Sequence, residues 1–279
     1  MIISNNPYLD STDRELTYEY KSTVDDATFH YHRHNNCEIY LFLKGNVQFY
    51  LEHDCYQLSP YDLIIMNPEE MHRIVCTDDS LYERITINIK KSYMDKLSNS
   101  ATDLSACFYH RPIGTGNILS LTPKQSEKLF NLCNLLNNAI SSTDYGHSIQ
   151  KDAYLSLLLV LVNSIFEKNT SNNISIMPDY LIETMQYIEN HLSETISLQQ
   201  LGNRFHQERN YLSQQFKKHT GMTLRFYLLD RRIARAKSLL RSGCNVTEAC
   251  YQSGFNDYAN FIRSFTKLEG TSPGKFKKL

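Results

Sequence analysis

Between residues 18 and 89 apolar and polar residues alternate in short runs. The clearest are Val47, Phe49 and Leu51 against Gln48, Tyr50 and Glu52, and Ile85, Ile87 and Ile89 against Arg84, Thr86 and Asn88. Period-two alternation marks strands with one covered face. Turn residues punctuate the runs at Lys44-Gly45-Asn46, Ser59-Pro60-Tyr61-Asp62, Asn67-Pro68 and Thr77-Asp78-Asp79, a spacing typical of a sandwich or jelly roll. Residues 1–110 are therefore expected to form an all-β barrel. From residue 122 the period changes. Thr122-Pro123-Lys124-Gln125 supplies an N-cap, a proline at the first helical position and a capping-box glutamine. Leu129, Leu132, Cys133, Leu136 and Ile140 follow at helical spacing, and a second, more apolar helix is expected over 148–168. Residues 111–168 thus predict a helical segment that packs on the barrel, forms a dimer interface, or does both. The apolar run, 153–166, is shorter than the roughly 20 residues of a membrane span and reads as a buried helix. Residues 169–178 are polar and aperiodic up to Met177-Pro178, which predicts a linker.

The remaining part, 179–279, repeats itself. Leu201-Gly202 corresponds to Ala249-Cys250, Phe216 to Phe265, Gly221-x-Thr223 to Gly270-x-Ser272, and Tyr227 to Phe276. Each copy reads helix, short turn, helix: 198–205 then 209–219, and 246–252 then 257–268. Two helix-turn-helix units are implied, so the whole chain is α+β and multidomain, a jelly-roll barrel followed by an all-α domain. Leu212 and Phe216 face inward in the second helix of the first copy, as do Phe261, Phe265 and Leu268 in the other. The opposite faces and their flanks offer Arg209, Asn210, Ser213, Gln214, Lys217 and Lys218, and Asn256, Tyr258, Asn260, Arg263 and Lys267. Arg, Asn and Gln suit bidentate contacts to base edges, and Lys suits phosphates; a merely solvated face is the bland explanation for one such helix and a weaker one for two. Residues 225–241 read as one connecting helix of roughly 25 Å, which with flanking turns approaches the 34 Å repeat of successive major grooves.

Charge sharpens this division. The chain carries a net −1, yet from Asp179 onward there are 15 Lys and Arg against 9 Asp and Glu, a net of +6, and the rest holds 14 against 21, a net of −7. A basic end beside an acidic one points to a polyanionic partner, double-stranded DNA first. Seven scattered cysteines without a Cys-x-x-Cys pair argue against a disulfide framework or a thiolate zinc site. Met1-Ile2-Ile3-Ser4-Asn5-Asn6-Pro7 has no basic n-region or long apolar run, so a cytoplasmic location without a membrane partner is expected.

The barrel also carries a histidine constellation: His32-Arg33-His34, Glu38 three residues on, Gly45 after six more, and later Pro68-Glu69-Glu70-Met71-His72. His32, His34 and Glu38 share strand parity and can converge on one face. Such a set can ligate a first-row metal, with His32, His34, Glu38 and His72 as candidates, or line a metal-free pocket as hydrogen-bonding groups. The first spacing resembles the cupin motif His-x-His-x3-Glu-x6-Gly; the second cupin motif is matched only in part, with Tyr61-Asp62 where Gly-Asp is usual. The other histidines, His30, His53, His110, His147, His191, His206 and His219, show no metal spacing and are expected to be ordinary surface or core residues.

The chain as a whole resembles the AraC/XylS family of bacterial transcription regulators. The resemblance rests on Ser197-Leu198-x-x-Leu201, Tyr211-Leu212-Ser213-x-x-Phe216-Lys217, Gly221-x-Thr223, Arg232-Ile233-x-x-Ala236-x-x-Leu239-Leu240, Gly254-Phe255, Phe261-x-x-x-Phe265 and Gly270-x-Ser272-Pro273. Gly202 and Cys250 depart from it, standing where Ala is usual. It implies a cupin-like sensor joined to a DNA-binding domain. The function expected from it is a transcription regulator, an activator, controlled by a small polar effector such as a sugar held by His32, His34, Glu38, Tyr40 and His72. RNA polymerase and a second copy of the chain are the implied protein partners. Two alternatives stand beside this reading: a cupin metalloenzyme using His32, His34, Glu38 and His72, and a regulator whose barrel only dimerises. Two helix-turn-helix copies are superfluous to an enzyme, so catalysis is not expected, and no cofactor is expected beyond that divalent metal.

Overall fold

The alternation of the first part resolves into strands whose two faces are both covered. The computed structural model describes residues 9–10, 14–24, 32–168 and 176–277; the expected linker positions 169–175 and His30 lie outside them. In chain order come β1 (Leu9–Asp10), β2 (Leu16–Thr23), β3 (Arg33–His34), β4 (Cys37–Lys44), β5 (Val47–Leu51), β6 (Asp54–Gln57), β7 (Leu63–Met66), β8 (His72–Cys76) and β9 (Tyr82–Ile89). Two short helices, α1 (Lys91–Leu97) and α2 (Ala106–Tyr109), then precede β10 (Ile118–Leu119). A five-stranded antiparallel sheet, in the order β10-β7-β4-β9-β2, faces a three-stranded one, β6-β5-β8, while β1 pairs in parallel with β3. The large sheet takes its last strand from beyond residue 110, where Ile118 and Leu119 pair with Ile64 and Leu63.

Parity decides what each face covers. Cys37, Ile39 and Leu41 of β4 join Ile85, Ile87 and Ile89 of β9 in a core that lies outside the barrel. Its other wall is a helix pair, α3 (Pro123–Ser141) and α4 (His147–Lys168), contributing Leu129, Leu132, Leu136, Leu155, Leu158 and Val162. The Thr122 capping box forms as the sequence predicts, with its hydroxyl accepting from Gln125 N while the Gln125 side chain accepts from Thr122 N; such a cap contributes about 1 kcal/mol. The opposite parity, Tyr40 and Phe42 of β4 with Ile64 and Met66 of β7, meets Val47, Phe49 and Leu51 of the small sheet inside the barrel.

α4 runs His147–Lys168, within one residue of the helix expected over 148–168, and by length and composition alone its 22 residues could cross a membrane. Leu155, Leu158, Leu159, Val162 and Ile165 are nevertheless buried in the core against α3 and the sheet.

The remainder is helical: α5 (Asp179–Asn190), α6 (Leu198–Arg204), α7 (Arg209–Thr220), α8 (Leu224–Arg241), α9 (Val246–Gln252), α10 (Tyr258–Glu269) and α11 (Pro273–Phe276). The start signals are explicit. Ser197 with Gln200 and Asn245 with Glu248 form capping boxes, Glu208, Thr223 and Asp257 accept from backbone amides of the next turn, and Gly221 and Gly270 close α7 and α10 in the left-handed conformation. The glycine at 202 has a physical reason: a Cβ there would sit 2.7 Å from the Gln207 carbonyl oxygen of the tight α6–α7 turn. Ile233, Ala236, Leu240, Ala249, Cys250, Phe261 and Phe265 make one core around the second unit. The core of the first unit is shared with the barrel, because Tyr50, Cys55 and Met71 pack with Met177, Leu181, Met185, Phe216 and Tyr227. The three layers of the barrel region, helix pair, large sheet and small sheet, therefore continue into the helical domain.

Candidate functional site

The polar parity of β9, Arg84, Thr86 and Asn88, lines the barrel interior together with the matching parity of β2. The register sets Thr17 opposite Asn88, Glu19 opposite Thr86 and Lys21 opposite Arg84. These side chains line a half-open cavity of about 320 Å³, and all five expected effector residues, His32, His34, Glu38, Tyr40 and His72, line it too, with Asn35 and Ile74. Its size and convergent polar groups suit a small hydrophilic molecule. The Asn88 carboxamide oxygen is buried without a hydrogen-bond partner, which leaves a ready acceptor at the wall. Tyr40 hydroxyl bonds to Tyr82 hydroxyl at the inner end, where the Arg84 guanidinium lies 4.1 Å from the Tyr82 ring centroid.

The imidazoles are pre-oriented. His32 and His72 exchange backbone N–H···O bonds, both 2.9 Å, which seats β3 against β8. His72 Nδ1 lies 3.2 Å from the Glu70 carbonyl oxygen and donates to it, which leaves Nε2 as the acceptor facing His34 Nε2 at 3.1 Å. Glu38 Oε2 is 2.5 Å from His34 Nε2 and 3.6 Å from His72 Nε2. Burial by itself would raise the Glu38 carboxyl, but the adjacent His34, His72 and His32 outweigh it and hold it at about 2. Burial, followed by the charges of His32 and His34, pushes His72 well below its usual value, so this ring is neutral. The ligand atoms of His32, His34 and His72 lie within 4.8 Å of one another. Three imidazoles and one carboxylate are a donor set that suits a first-row divalent ion, and Glu38 Oε2 is buried without a hydrogen-bond partner of good geometry.

In the helical domain, the expected DNA-contact residues occupy one exposed side of each second helix. Arg209, Asn210, Gln214, Lys217 and Lys218 on α7 are exposed and Ser213 is half-buried; Asn256, ahead of α10, and Tyr258, Asn260, Arg263 and Lys267 on it are exposed. Leu212, Phe216, Phe261, Phe265 and Leu268 are buried beneath them. The barrel docks elsewhere, against α5, α8 and the C-terminal ends of α7 and α10. At that junction the Arg231 guanidinium lies 2.9 Å from Glu52 and 3.5 Å from Glu189, and His53 lies 3.2 Å from Glu189. Tyr227 hydroxyl donates to Glu189 at 3.1 Å. Arg241 pairs with Glu69 nearby. His53, expected to be ordinary, is thus part of a partly buried charge cluster.

Two domain families match the chain: an AraC-like ligand binding domain over residues 18–159 and a helix-turn-helix domain over residues 201–279. The chain belongs to the AraC family of transcriptional regulators. Similar proteins include the HTH-type transcriptional regulator SAR0107 of Staphylococcus aureus (strain MRSA252), 22% identical over 254 residues that make up 90% of this chain and 33% of that protein. The HTH-type regulator YbfI of Bacillus subtilis (strain 168) is 23% identical over 246 residues, 87% of this chain and 84% of that one. This AraC-family chain spans about a third of the length of the first of these relatives. Among solved structures, ToxT from Vibrio cholerae aligns over 95% of this chain and 98% of its own with 15% identity and a TM-score of 0.40.

Besides Asn35 and Ile74, the cavity residues that sequence reasoning missed are Thr17, Glu19, Lys21, Arg84, Thr86 and Asn88. Their alternation was visible, but polar parity is ordinarily assigned to solvent. Here both faces of the large sheet are covered, so its polar parity lines the cavity. The contact between Arg231 and Glu52 left no local signal, since the two lie 179 positions apart.

Proposed function

We propose that the protein is a DNA-binding transcription regulator, acting as an activator in the cytoplasm, whose DNA contact is set by a small polar effector in the barrel. The observation that carries this reading is the pairing of a half-open cavity lined by polar side chains with two exposed recognition faces on a single chain. His32, His34, Glu38, Tyr40 and His72 hold the effector, with Arg84 and Asn88 adding a donor fork and an open acceptor. A sugar or polyol fits these alternating donors and acceptors. Asn210, Ser213, Gln214, Tyr258, Asn260 and Arg263 reach base edges, and Arg209, Lys217, Lys218, Asn256 and Lys267 hold phosphates and flanks. The effector acts through its unequal affinity for two arrangements of the domains. Ile149, Leu157 and Val160, exposed along α4, and Leu135 on α3 form the apolar stripe through which two copies pair. RNA polymerase is the downstream partner.

A second reading is favoured by the three imidazole nitrogens within 4.8 Å: His32, His34 and His72 with Glu38 hold a divalent cation, which supplies the effector with a positive anchor. Thermal unfolding of the full chain against sugars, polyols, small acids and divalent cations, with a chelator control, tests both. A true ligand at 100 times its Kd stabilises the native state by about 2.7 kcal/mol, a rise of about 5–10 °C for a chain of this size. A rise with sugars or acids supports the first reading, and a chelator-sensitive rise with one metal supports the second. No rise with any compound contradicts the sensor role.

A further inference from the structure

We propose that β3 and β8 form a two-pronged lever in which Arg33 and Arg73 transmit the state of the cavity to the two recognition helices separately. The inference rests on the sensor reading above and adds how that same site is coupled to DNA. The two segments are joined by the His32–His72 backbone pair. Alternation along a strand sends neighbouring side chains to opposite faces, and here His32 and His72 are each followed by an arginine that points the other way. His32 and His34 line the cavity while Arg33, between them, enters the helical domain; His72 lines it while Arg73 does the same.

Both arginines end at the C-terminus of a recognition helix. Arg73 Nη1 donates to the carbonyl oxygens of Lys218 and His219, at 3.2 and 3.3 Å, in the last turn of α7. Arg33 Nη2 donates to Glu269, the last residue of α10, at 2.7 Å, and its Nη1 lies 3.5 Å from Asp230 of α8. A cation at a helix C-terminus is favoured by the helix dipole as well as by the direct bond. The Arg33 prong closes a buried, charge-balanced square: Arg33 and Asp230 are each 2% exposed, and Lys237 Nζ completes it at 2.9 Å from Glu269. With Arg33 displaced, Glu269 keeps Lys237 at 2.9 Å and Asp230 keeps Arg231 at 3.3 Å, so the arginine can shift without stranding either carboxylate. An effector wedged between His32/His34 and His72 therefore changes the separation of the two arginines, and with it the relative placement of α7 and α10.

Hydrogen exchange of the full-length chain, read by mass spectrometry, tests this without DNA or effector, so its outcome is independent of whether the sensor reading holds. His34→Gln perturbs the cavity wall, and Glu269→Gln removes the charge that holds the Arg33 prong. Where Glu269→Gln does not fold, Arg33→Lys, which keeps the charge and loses the fork, replaces it. His34→Gln alone is expected to change exchange across 258–269 by about threefold or more, and to change it by less than half as much in the Glu269→Gln background. Arg73→Gln is expected to affect 209–220 and leave 258–269 alone. The lever is overturned if His34→Gln leaves 258–269 unchanged, or if its effect there is the same size with and without Glu269.

Discussion

Replacing Arg231 with methionine should destabilise the folded chain by about 3–5 kcal/mol, the range for breaking one partner out of a buried ion pair. Methionine retains most of the aliphatic volume, so lost packing is a minor part. What changes is charge. The Arg231 side chain is 8% exposed and lies 2.9 Å from Glu52, 3.3 Å from Asp230 and 3.5 Å from Glu189, and Glu52 is 2% exposed. The Glu52 carboxylate keeps the Met71 N–H at 2.6 Å but loses its main countercharge. Burial already raises the Glu52 carboxyl against the pull of Arg231, and removing Arg231 raises it further. The sign follows: a carboxyl raised in the folded state is a liability while ionised, so the deficit of Arg231→Met is largest at neutral pH and shrinks as pH falls toward 4.5, where protonation relieves it. Equilibrium urea unfolding at pH 7.5 and 5.5 reads both values. The double variant Arg231→Met with Glu52→Gln should recover most of the loss, because removing both charges also removes the desolvation penalty. A loss below about 1 kcal/mol, or a double variant no more stable than the single one, would refute the buried-pair reasoning.

Other outcomes follow from the same structure. Gly254 has φ +95° and a Cβ there would lie 1.9 Å from the Leu192 carbonyl oxygen, so Gly254→Ala should lose about 1–2 kcal/mol to the left-handed backbone alone and more to the clash, as a lowered unfolding midpoint. His53 is raised: burial would lower it, but its bond to Glu189 and the Glu189 and Glu52 charges override that. Its contribution is complete below pH 6.5 and fades as pH rises through the raised value, and Glu189, held at about 2 by His53 and Arg231 against burial, contributes above pH 4.5. His53→Gln should accordingly flatten the fall in stability above pH 6.5 in a pH series of urea midpoints. Arg263→Ala should weaken binding to a selected duplex by about 1–3 kcal/mol and relax one base position if Arg263 reads a base; in a titration over salt, a uniform loss with a slope reduced by about 1 would assign it to phosphate instead.

Local chemistry made the helical parts legible. The Thr122, Ser197 and Asn245 capping boxes and the glycines at 221 and 270 carry their signals within four residues, and α3 and the paired helix-turn-helix units fall where those signals place them. The cavity was half legible. His32, His34 and Glu38 share a parity that places them together, whereas Arg84, Thr86 and Asn88 required knowing that α3 and α4 cover the isoleucine face. α5 went unread, since it starts at Asp179 without a side-chain cap and owes its place to the core shared by Met185, Ile188 and Tyr227. The domain junction was not legible: Glu52 holds φ +49° at a hairpin turn where glycine is the usual choice, next to a buried arginine 179 positions along the chain.

Selection of duplexes from a random-sequence pool by the full-length protein, followed by sequencing, tests most directly whether one chain reads DNA through two units. The expected result is an enriched bipartite site, two short conserved blocks with centres about 10–10.5 base pairs apart, of which Asn210 and Gln214 variants degrade one block and Asn260 and Arg263 variants the other. Enrichment of a single block insensitive to one pair of variants, or of no sequence at all, would contradict it.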